Sequence, residues 1–567
     1  MIISDFIKNY RWLLKHTVIS DFIIMVKNTI TCTIEQFLFD LYFIIMLLLK
    51  GMGLTVGKLF SLLLIVAMFV AALKVLSGKY NAVQKIIIIC LCTLALICWR
   101  HSNDMSVFFC IPLVISMKDV DKHHVFKIGA VVWPFTFLLQ ISSQLLNIRQ
   151  RDFVIHSKFG LGYVIRWALG YSHPNVLQIA YTVIVFYLFY GLRHDDQKQI
   201  VHDHNFRNSL LLSLVGAIYI FLYSFSTTGL LLYLIFIVIL CILEIKRRAG
   251  RKRDYLENGI LFLVFPVCIF LSVLGPLILT GRAFNIVNKI VNTRLSLSRT
   301  YLTEFGITLF GRDFSFMPAG ITLDCSYMYL LMHDGVIAFG IMTVGYLLLM
   351  RDTIKAKPSF ENSVEIAILI SVAFTAMSEP FAFNTSFKNV TLLFLGSDLY
   401  RRTSKMGKER AWLPIFSRLA EKHICLPDVS KIGTTFRILL EIIRNQYRKA
   451  IVVGIVTAFI GGIAFACLYR EPKEFLARRI SCDTDESSVS LFYSQKEIDN
   501  LETQPGIVIL NYKDESDPML SFQEGNIFLM ERIRGEVSSC LWVAAVAVFL
   551  FSLQQYRKET SQIQTLK

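Results

Sequence analysis

About fourteen long apolar runs, separated by short polar segments, constrain the fold of this chain more than any other feature of its sequence. A helix that spans the roughly 30 Å hydrocarbon core of a membrane needs about 20 mainly apolar residues. Hydrophobic residues make up 54% of the chain and charged residues only 18%, against roughly 25% in an ordinary soluble domain. The chain therefore lacks the polar surface that a soluble body of 567 residues needs, and we predict an integral membrane protein.

The runs predict an all-α polytopic membrane protein with a core of about 12 helices and a C-terminal two-span segment. They lie at 37–54, 58–77, 85–100, 104–117, 125–146, 174–192, 209–225, 228–245, 259–280, 329–350, 363–381, 388–400, 450–468 and 538–555.

Four regions follow from the position of these runs. Residues 1–36 mix lysine and arginine with apolar residues, which predicts an amphipathic helix on the cytoplasmic membrane surface. Residues 37–400 form the polytopic core, and 401–449 form a basic cytoplasmic linker. Residues 450–567 form a two-span tail whose segment at about 470–537 is expected to be a small extracytoplasmic α+β insert, with a strand at 506–512.

The basic residues set the predicted orientation. Lys246-Arg247-Arg248 and Arg251-Lys252-Arg253 form the strongest cluster and are therefore expected to be cytoplasmic. Counting outward from this loop puts both termini in the cytoplasm as well. The net charge of +16 is thus explained by topology, and no nucleic-acid partner is expected.

Two long loops, 147–173 and 281–327, are then predicted on the outer face, where loops are normally poor in positive charge. Both nevertheless carry basic residues: Arg149, Arg151, Lys158, Arg166, Arg282, Lys289, Arg294, Arg299 and Arg312. This pattern favours an anionic ligand at the outer rim, and the alternative is that the arginines reach to lipid head groups.

The first of these loops ends in Gly170-Tyr171-Ser172-His173-Pro174-Asn175. Pro174 suits the first position of a helix, whose N-terminus offers free N–H groups to a phosphate, and Arg166 adds a bidentate donor. His173 is a candidate for accepting a hydroxyl proton. The alternative is that the segment is only a turn entering a membrane helix.

The second loop supplies Arg294, Arg299, Asp324 and Tyr327. The two arginines are five residues apart and would not share a helix face, so we expect one to reach the ligand while the other holds the loop. Asp324 and Tyr327 are expected to face the same way just before the next span. Whether Asp324 takes part in chemistry or only orients an arginine stays open.

Two D-x-D strings, Asp119-Val120-Asp121 and Asp483-Thr484-Asp485, match the metal-nucleotide motif of sugar-nucleotide transferases. The first lies in a very short inner loop and the second in an acidic serine-rich stretch, so both are interpreted as accidental matches. No metal or cofactor is expected.

Arg166 with Gly170-Tyr171-Ser172-His173-Pro174-Asn175 resembles a segment of the Wzy-like bacterial polysaccharide polymerases, members of the O-antigen ligase superfamily. The segment around Arg294 with Gly306-Ile307-Thr308-Leu309-Phe310-Gly311 resembles their large outer loop, and Asp324-Cys325-Ser326-Tyr327 the start of their next helix. Ser224-Phe225-Ser226-Thr227-Thr228-Gly229 is similar to their Ser-Arg-Thr turn, with Thr227 in place of the arginine. The resemblance covers about 35–400.

The resemblance implies a glycosyltransferase of the bacterial plasma (inner) membrane. It would polymerise polyprenyl-diphosphate-linked oligosaccharide repeat units into capsular polysaccharide, exopolysaccharide or O-antigen at the outer face, in contact with membrane lipids and beside flippase and chain-length regulator proteins. Arg166 and Arg294 would hold the diphosphate, and His173, with Asp324 as the second candidate, would deprotonate or orient the acceptor. The predicted substrate-binding residues are Asn175, Arg299, Tyr327, Glu379 and Asn384. The alternatives are an O-antigen-ligase-like transfer to another acceptor, and a flippase or exporter without chemistry.

Overall fold

The computed structural model describes most of the chain. The described residues are 29–54, 57–145, 153–157, 163–191, 199–291, 293–316, 323–414, 416, 422–427, 442–443, 445–469, 475–479, 489–492, 521–522 and 525–565.

Helices dominate the described residues. In the core they are α1 (Ile34–Gly51), α2 (Lys58–Ser77), α3 (Ala82–Ser102), α4 (Ser106–Ile115), α5 (Lys122–Leu145), α6 (Pro174–Gly191), α7 (Gln199–Ser224), α8 (Thr227–Arg248), α9 (Tyr255–Val273), α10 (Gly275–Ile278), α11 (Gly281–Ile290), α12 (Arg294–Glu304), α13 (Ser326–Tyr329), α14 (Gly335–Lys355), α15 (Phe360–Thr375) and α16 (Thr391–Thr403). A π-helical segment, Leu330–Asp334, joins α13 to α14, and a 3₁₀ turn, Pro380–Ala382, follows α15. The tail contributes α17 (Tyr447–Leu468) and α18 (Gly525–Thr565).

Ten helices among the described residues are long and apolar enough to cross a membrane, which gives the chain the architecture of a multi-pass membrane protein. Each predicted apolar run falls on a helix, but the count of about fourteen spans is not confirmed. Helices α4, α15 and α16 have only 10, 16 and 13 residues. Helix α1 carries the charges of Glu35, Asp40 and Lys50.

The helices differ in what surrounds them. Helices α6 and α15 bury most of their residues, as expected for helices that are apolar on all sides and packed inside a bundle. Aromatic rings fill the space between helices: Phe126 of α5 stacks on Phe394 of α16 with ring centroids 5.3 Å apart. Outer helices instead expose large apolar side chains such as Leu212 and Ile245, which suits contact with lipid.

The strands are short and form small antiparallel sheets. They are β1 (Thr29–Thr33), β2 (Lys79–Tyr80), β3 (Phe153–Ser157), β4 (Tyr163–Trp167), β5 (Arg410–Ala411), β6 (His423–Pro427), β7 (Phe475–Arg479), β8 (Val489–Phe492) and β9 (Ser521–Phe522). The pairs are β1 with β6, β2 with β5 and β3 with β4, and the tail sheet has the order β8-β7-β9.

The strands can be compared with two of the sequence predictions. Residues 1–28 lie outside the described part of the chain, but the predicted helix over 1–36 is wrong for Thr29–Thr33, which pair as a strand with the linker. In the tail, β7, β8 and β9 form a sheet within the predicted insert, whereas the strand expected at 506–512 lies outside the described residues.

The two tail helices pack closely through small residues. A Cβ atom on Gly461 of α17 would come within 2.9 Å of the Ser539 carbonyl oxygen, and one on Gly535 of α18 would meet the Phe465 ring at 2.2 Å. A side chain at either position would require the neighbouring atoms to shift, and small residues at such contacts are typical of closely packed membrane helices.

Candidate functional site

Glu379 is the centre of a polar cluster at the end of the bundle that the charge pattern predicts to face outward. It lies in the loop after α15 and is only 6% exposed. Its Oε1 atom accepts hydrogen bonds from Asn175 Nδ2 and Thr228 Oγ1, each at 2.7 Å. Asn175 is the second residue of α6 and Thr228 the second of α8, so two helix starts and one helix end meet at this carboxyl group.

Arg166 joins the cluster from β4. Its Nη2 atom donates to Asn175 Oδ1 at 2.6 Å, and its Nε atom donates to the Ser224 carbonyl at 3.0 Å. Burial lowers the pKa of Arg166 to about 10, and nearby Glu379 opposes that shift, so the guanidinium remains a cation at neutral pH. Within the described residues no partner contacts its Nη1 atom, which leaves donors for a ligand.

Arg294 and Asp324 form an ion pair near Glu379. Arg294 is the first residue of α12, and its Nε atom lies 3.4 Å from the Ser378 carbonyl, next to Glu379 in sequence. Both charges influence Glu379: Asp324 raises its pKa and Arg294 lowers it. Arg166 and Arg294, predicted from separate loops, therefore converge on the same carboxyl group.

The pKa of Glu379 is raised from 4.5 to about 7, and burial of the carboxyl group is the largest cause. The hydrogen bonds from Thr228 and Asn175 favour the charged form and only partly offset the burial. A carboxyl group poised near neutral pH is suited to general acid–base chemistry.

His173 precedes α6, and its ring turns back onto the helix start. Its Nδ1 atom accepts a hydrogen bond from the Asn175 backbone N–H at 3.1 Å. In a neutral imidazole that accepts at Nδ1, the proton lies on Nε2, so this ring is arranged to donate. A ring in this tautomer can orient an acceptor hydroxyl, which is one of the two roles predicted for His173. Glu379, which the sequence placed only among sugar-binding candidates, is a further candidate for taking the proton.

Arg299, Tyr327 and Asn384 hydrogen-bond to groups other than the Glu379 carboxyl among the described residues. Arg299 donates to the Pro276 and Leu279 carbonyls at 2.6 and 2.7 Å, so it holds the loop together, as expected of one of the two arginines. Asn384 accepts from the Ser386 backbone N–H at 2.9 Å.

Tyr327 is buried, and its hydroxyl donates to the Ala373 carbonyl at 2.9 Å. Asp324 and Tyr327 do not share a helix face, because α13 begins only at Ser326 and Asp324 lies before it. Asp324 instead pairs with Arg294, which agrees with its orienting role.

Sequence reasoning missed the contribution of the turn between α7 and α8. Its Ser224 carbonyl binds Arg166, and its Thr228 hydroxyl binds Glu379. The serine- and threonine-rich string Ser224-Phe225-Ser226-Thr227-Thr228 is the sequence signal for this turn.

The C-terminal helix α18 also contacts the site, at the strand residues on each side of Arg166. Arg534 donates to the Ile165 carbonyl at 2.5 Å and to the Leu222 carbonyl at 2.6 Å, and Glu531 accepts from the Trp167 indole at 3.2 Å. No pattern in the sequence predicted that the tail reaches the core here.

The basic residues Arg149, Arg151 and Lys158 and the string Asp483-Thr484-Asp485 lie outside the described residues. Asp119 pairs with Lys118, and Asp121 accepts from the His123 backbone N–H, so each carboxylate of the other D-x-D string has a local partner.

The chain was compared with models of protein families, with curated proteins and with solved structures, and none of the three comparisons gave a match.

Proposed function

We propose that this protein is a membrane glycosyltransferase that joins diphosphate-linked saccharide repeat units, as its resemblance to the polysaccharide polymerases implies. The observation that carries the proposal is the convergence of Arg166 and Arg294 on Glu379, a buried carboxyl group whose pKa is raised to about 7. Two fixed cations can stabilise the negative charge that develops on the leaving diphosphate. The adjacent carboxylate can take the proton that the attacking hydroxyl releases.

The proposed step forms one glycosidic bond and breaks one bond to the diphosphate. A hydroxyl oxygen of the acceptor sugar bonds to the anomeric carbon of the donor sugar, and the bond from that carbon to the diphosphate oxygen breaks. Glu379 takes the hydroxyl proton, and the diphosphate leaves with the bonding electron pair. Arg166 and Arg294 stabilise the charge on the leaving group, because guanidinium groups bind phosphate oxygens in a bidentate manner.

The hydrogen bonds of the cluster support this division of roles. Asn175 links Arg166 to Glu379 by bonds of 2.6 and 2.7 Å, so the cation and the proton acceptor are held in one geometry before a ligand arrives. Asp324 holds Arg294 in the same way. Because these charged groups are already in position, they need to move little when the reaction begins.

Elongation by purified protein tests the proposal. Wild-type protein in detergent, given a defined polyprenyl-diphosphate-linked repeat unit, is expected to form a ladder of longer saccharides both with and without a chelator. Arg294→Ala should slow elongation by about 10²–10³-fold, the usual cost of losing a transition-state donor. Arg282→Ala, an exposed arginine of the same loop, should elongate like the wild type.

Two results would contradict the proposal: no elongation by well-folded wild-type protein, or full-length ladders from Arg294→Ala. In cells, loss of the polymerase should leave single repeat units that are flipped and displayed as short glycan. Accumulation of those units on the inner face would instead indicate a flippase.

A further inference from the structure

A second polar cavity of about 440 Å³ opens between α1, α3, α4 and the π-helical segment, and the proposed reaction does not use it. Lys50, Asp104, Phe109, Tyr329, His333 and Thr385 are among its lining residues. Its wall therefore combines aromatic rings, carboxylates and one lysine. This volume is in the range of ordinary small-molecule sites.

Lys50 is the unusual group of this cavity. It is 5% exposed, and its Nζ atom lies 4.8 Å from the centre of the Phe60 ring and 4.6 Å from that of Phe109. Among the residues that the structure describes, no ion pair or hydrogen bond joins this ammonium group to another side chain. A buried charge is costly unless it is paired, so an unpaired ammonium that lines a cavity points to an anionic ligand.

Several other charges within the apolar runs have ion-pair partners, in contrast to Lys50. Asp40 binds His124 at 2.9 Å, Glu365 binds Lys122 at 2.9 Å, and Glu244 binds Arg247 at 2.7 Å. The protein thus supplies partners for these three charges.

Lys388 adds a second cation nearby. It lies three residues after Thr385, is 7% exposed, and has no ion-pair partner within the described ranges. Burial and, to a smaller degree, the charge of Lys50 together lower the pKa of Lys388 to about 7, so the two amino groups are close enough to repel each other when both are charged. An anion bound near Lys50 would relieve that repulsion.

The two carboxylates of the cavity, Asp104 and Asp313, form no ion pair with Lys50 and bind other groups. Asp104 accepts from the Ser106 backbone N–H at 2.8 Å through Oδ1 and from the Tyr329 hydroxyl through Oδ2. Asp313 accepts from the Ser315 backbone N–H at 2.8 Å. Carboxylates fixed in this way are suited to accept hydrogen bonds from ligand hydroxyls.

The backbone around the cavity is fixed by the close approach of Gly311 to the π-helical segment. A Cβ atom on Gly311 would meet the His333 carbonyl oxygen at 1.8 Å, and Arg312 N–H bonds to the Met332 carbonyl at 3.2 Å. The π-helical turn brings His333 to the cavity, where its ring stacks on Tyr329 with centroids 4.3 Å apart. Segments of this kind are frequent at functional sites.

We infer that this cavity is a second binding site, which takes a sugar ring that carries a carboxylate or a phosphate. The anion would bind Lys50, the hydroxyls would donate to Asp104 and Asp313, and the apolar face of the ring would pack on the aromatic side chains. That the ligand is a substrate, either an acidic sugar of the acceptor or a sugar phosphate, rests on the proposed function.

Binding of small probes to the full-length protein in detergent tests the inference. Methyl glucuronide and methyl glucoside differ only in the carboxylate, and glucose 1-phosphate supplies the phosphate; ligand-observed NMR can rank all three. The wild type should prefer at least one anionic probe to methyl glucoside by about tenfold or more, as expected for a charge pair in a buried site. Preference for methyl glucuronide would identify an acidic sugar, and preference for glucose 1-phosphate the phosphate end of a lipid-linked unit.

Lys50→Met should abolish this preference and Lys50→Arg should retain it, whereas Lys289→Met, which removes an exposed lysine, should leave it unchanged. The inference is overturned if the wild type shows no preference for either anion, or if Lys50→Met keeps the preference. Arg294→Ala should still bind the anionic probe. The binding experiment can therefore contradict ligand binding at the cavity without contradicting the proposed reaction, and the elongation experiment can do the reverse.

Discussion

The Glu379 cluster and the Lys50 cavity differ in how their charges are matched. Arg166, Arg294 and Glu379 each hydrogen-bond or pair with protein groups, so their geometry is set without a ligand. The Lys50 ammonium lies against two aromatic rings and forms no ion pair among the described residues. A matched network is suited to stabilising charge that appears during a reaction, whereas an unmatched charge is suited to holding a charge that the ligand brings.

The largest effect should follow from removing the proton acceptor of the matched cluster. In the wild type, elongation should rise with pH through about 7, because Glu379 accepts a proton only in its ionised form and that form gains population as pH increases. Glu379→Gln should lose this rise and slow elongation by about 10²–10⁴-fold, the usual range for a general base. Initial rates between pH 5.5 and 8.5 measure both effects.

Two controls sharpen this prediction. Glu304→Gln, an exposed carboxyl in the same predicted outer loop, should keep the wild-type rate and midpoint. Lys50→Met should also keep the midpoint, since Lys50 is not among the groups that shift the pKa of Glu379. A wild-type pH profile for Glu379→Gln would show that Glu379 is not the proton acceptor.

A smaller effect should follow from loosening the strand that carries Arg166. Arg534→Met removes the donor to the Ile165 and Leu222 carbonyls and leaves them unpaired in a buried place. We expect about 1–3 kcal/mol of lost stability and a slower elongation rate. Arg532→Met, an exposed arginine two residues away, is the matched control.

Thermal unfolding in detergent and initial rates check this tail contact. If Arg534→Met and Arg532→Met have the same melting temperature and rate, helix α18 does not position the site.

The smallest effect should come from Thr228. Its hydroxyl lowers the pKa of Glu379 by a hydrogen bond to the charged form, so Thr228→Val should move the midpoint of the pH–rate profile upward. One such bond is worth roughly 0.5–1.5 kcal/mol, which corresponds to a shift of about one pH unit or less. Thr228→Ser keeps the hydroxyl and should keep the midpoint. A downward shift in Thr228→Val would show that the bond favours the neutral carboxyl instead.

Much of the helical core could be predicted from the sequence, because a membrane helix is specified by local apolar length. Lys122–Leu145 and Thr227–Arg248, for example, lie close to the predicted runs 125–146 and 228–245. The count of spans was less predictable, since helices such as Ser106–Ile115 are apolar because they are buried in protein and not because they cross the membrane in full.

The candidate site was predictable only in part. Arg166 and Arg294 were selected as candidates because positive charge in predicted outer loops breaks a topological rule. The proposed role of Glu379 depends on partners that lie 204 and 151 residues away in sequence, Asn175 and Thr228, and local patterns carry no information about such contacts. The orientation of the His173 ring is likewise a property of the folded helix start.

The shared action of Arg166 and Arg294 is tested most directly by a double-mutant cycle on elongation by purified protein. Arg166→Ala and Arg294→Ala are each expected to slow the reaction by about 10²–10³-fold. Because both are proposed to hold one diphosphate, the double variant should be only slightly slower than the slower single variant, as for residues that act as a unit. Two independent losses that multiply in the double variant would contradict a single site built from both arginines.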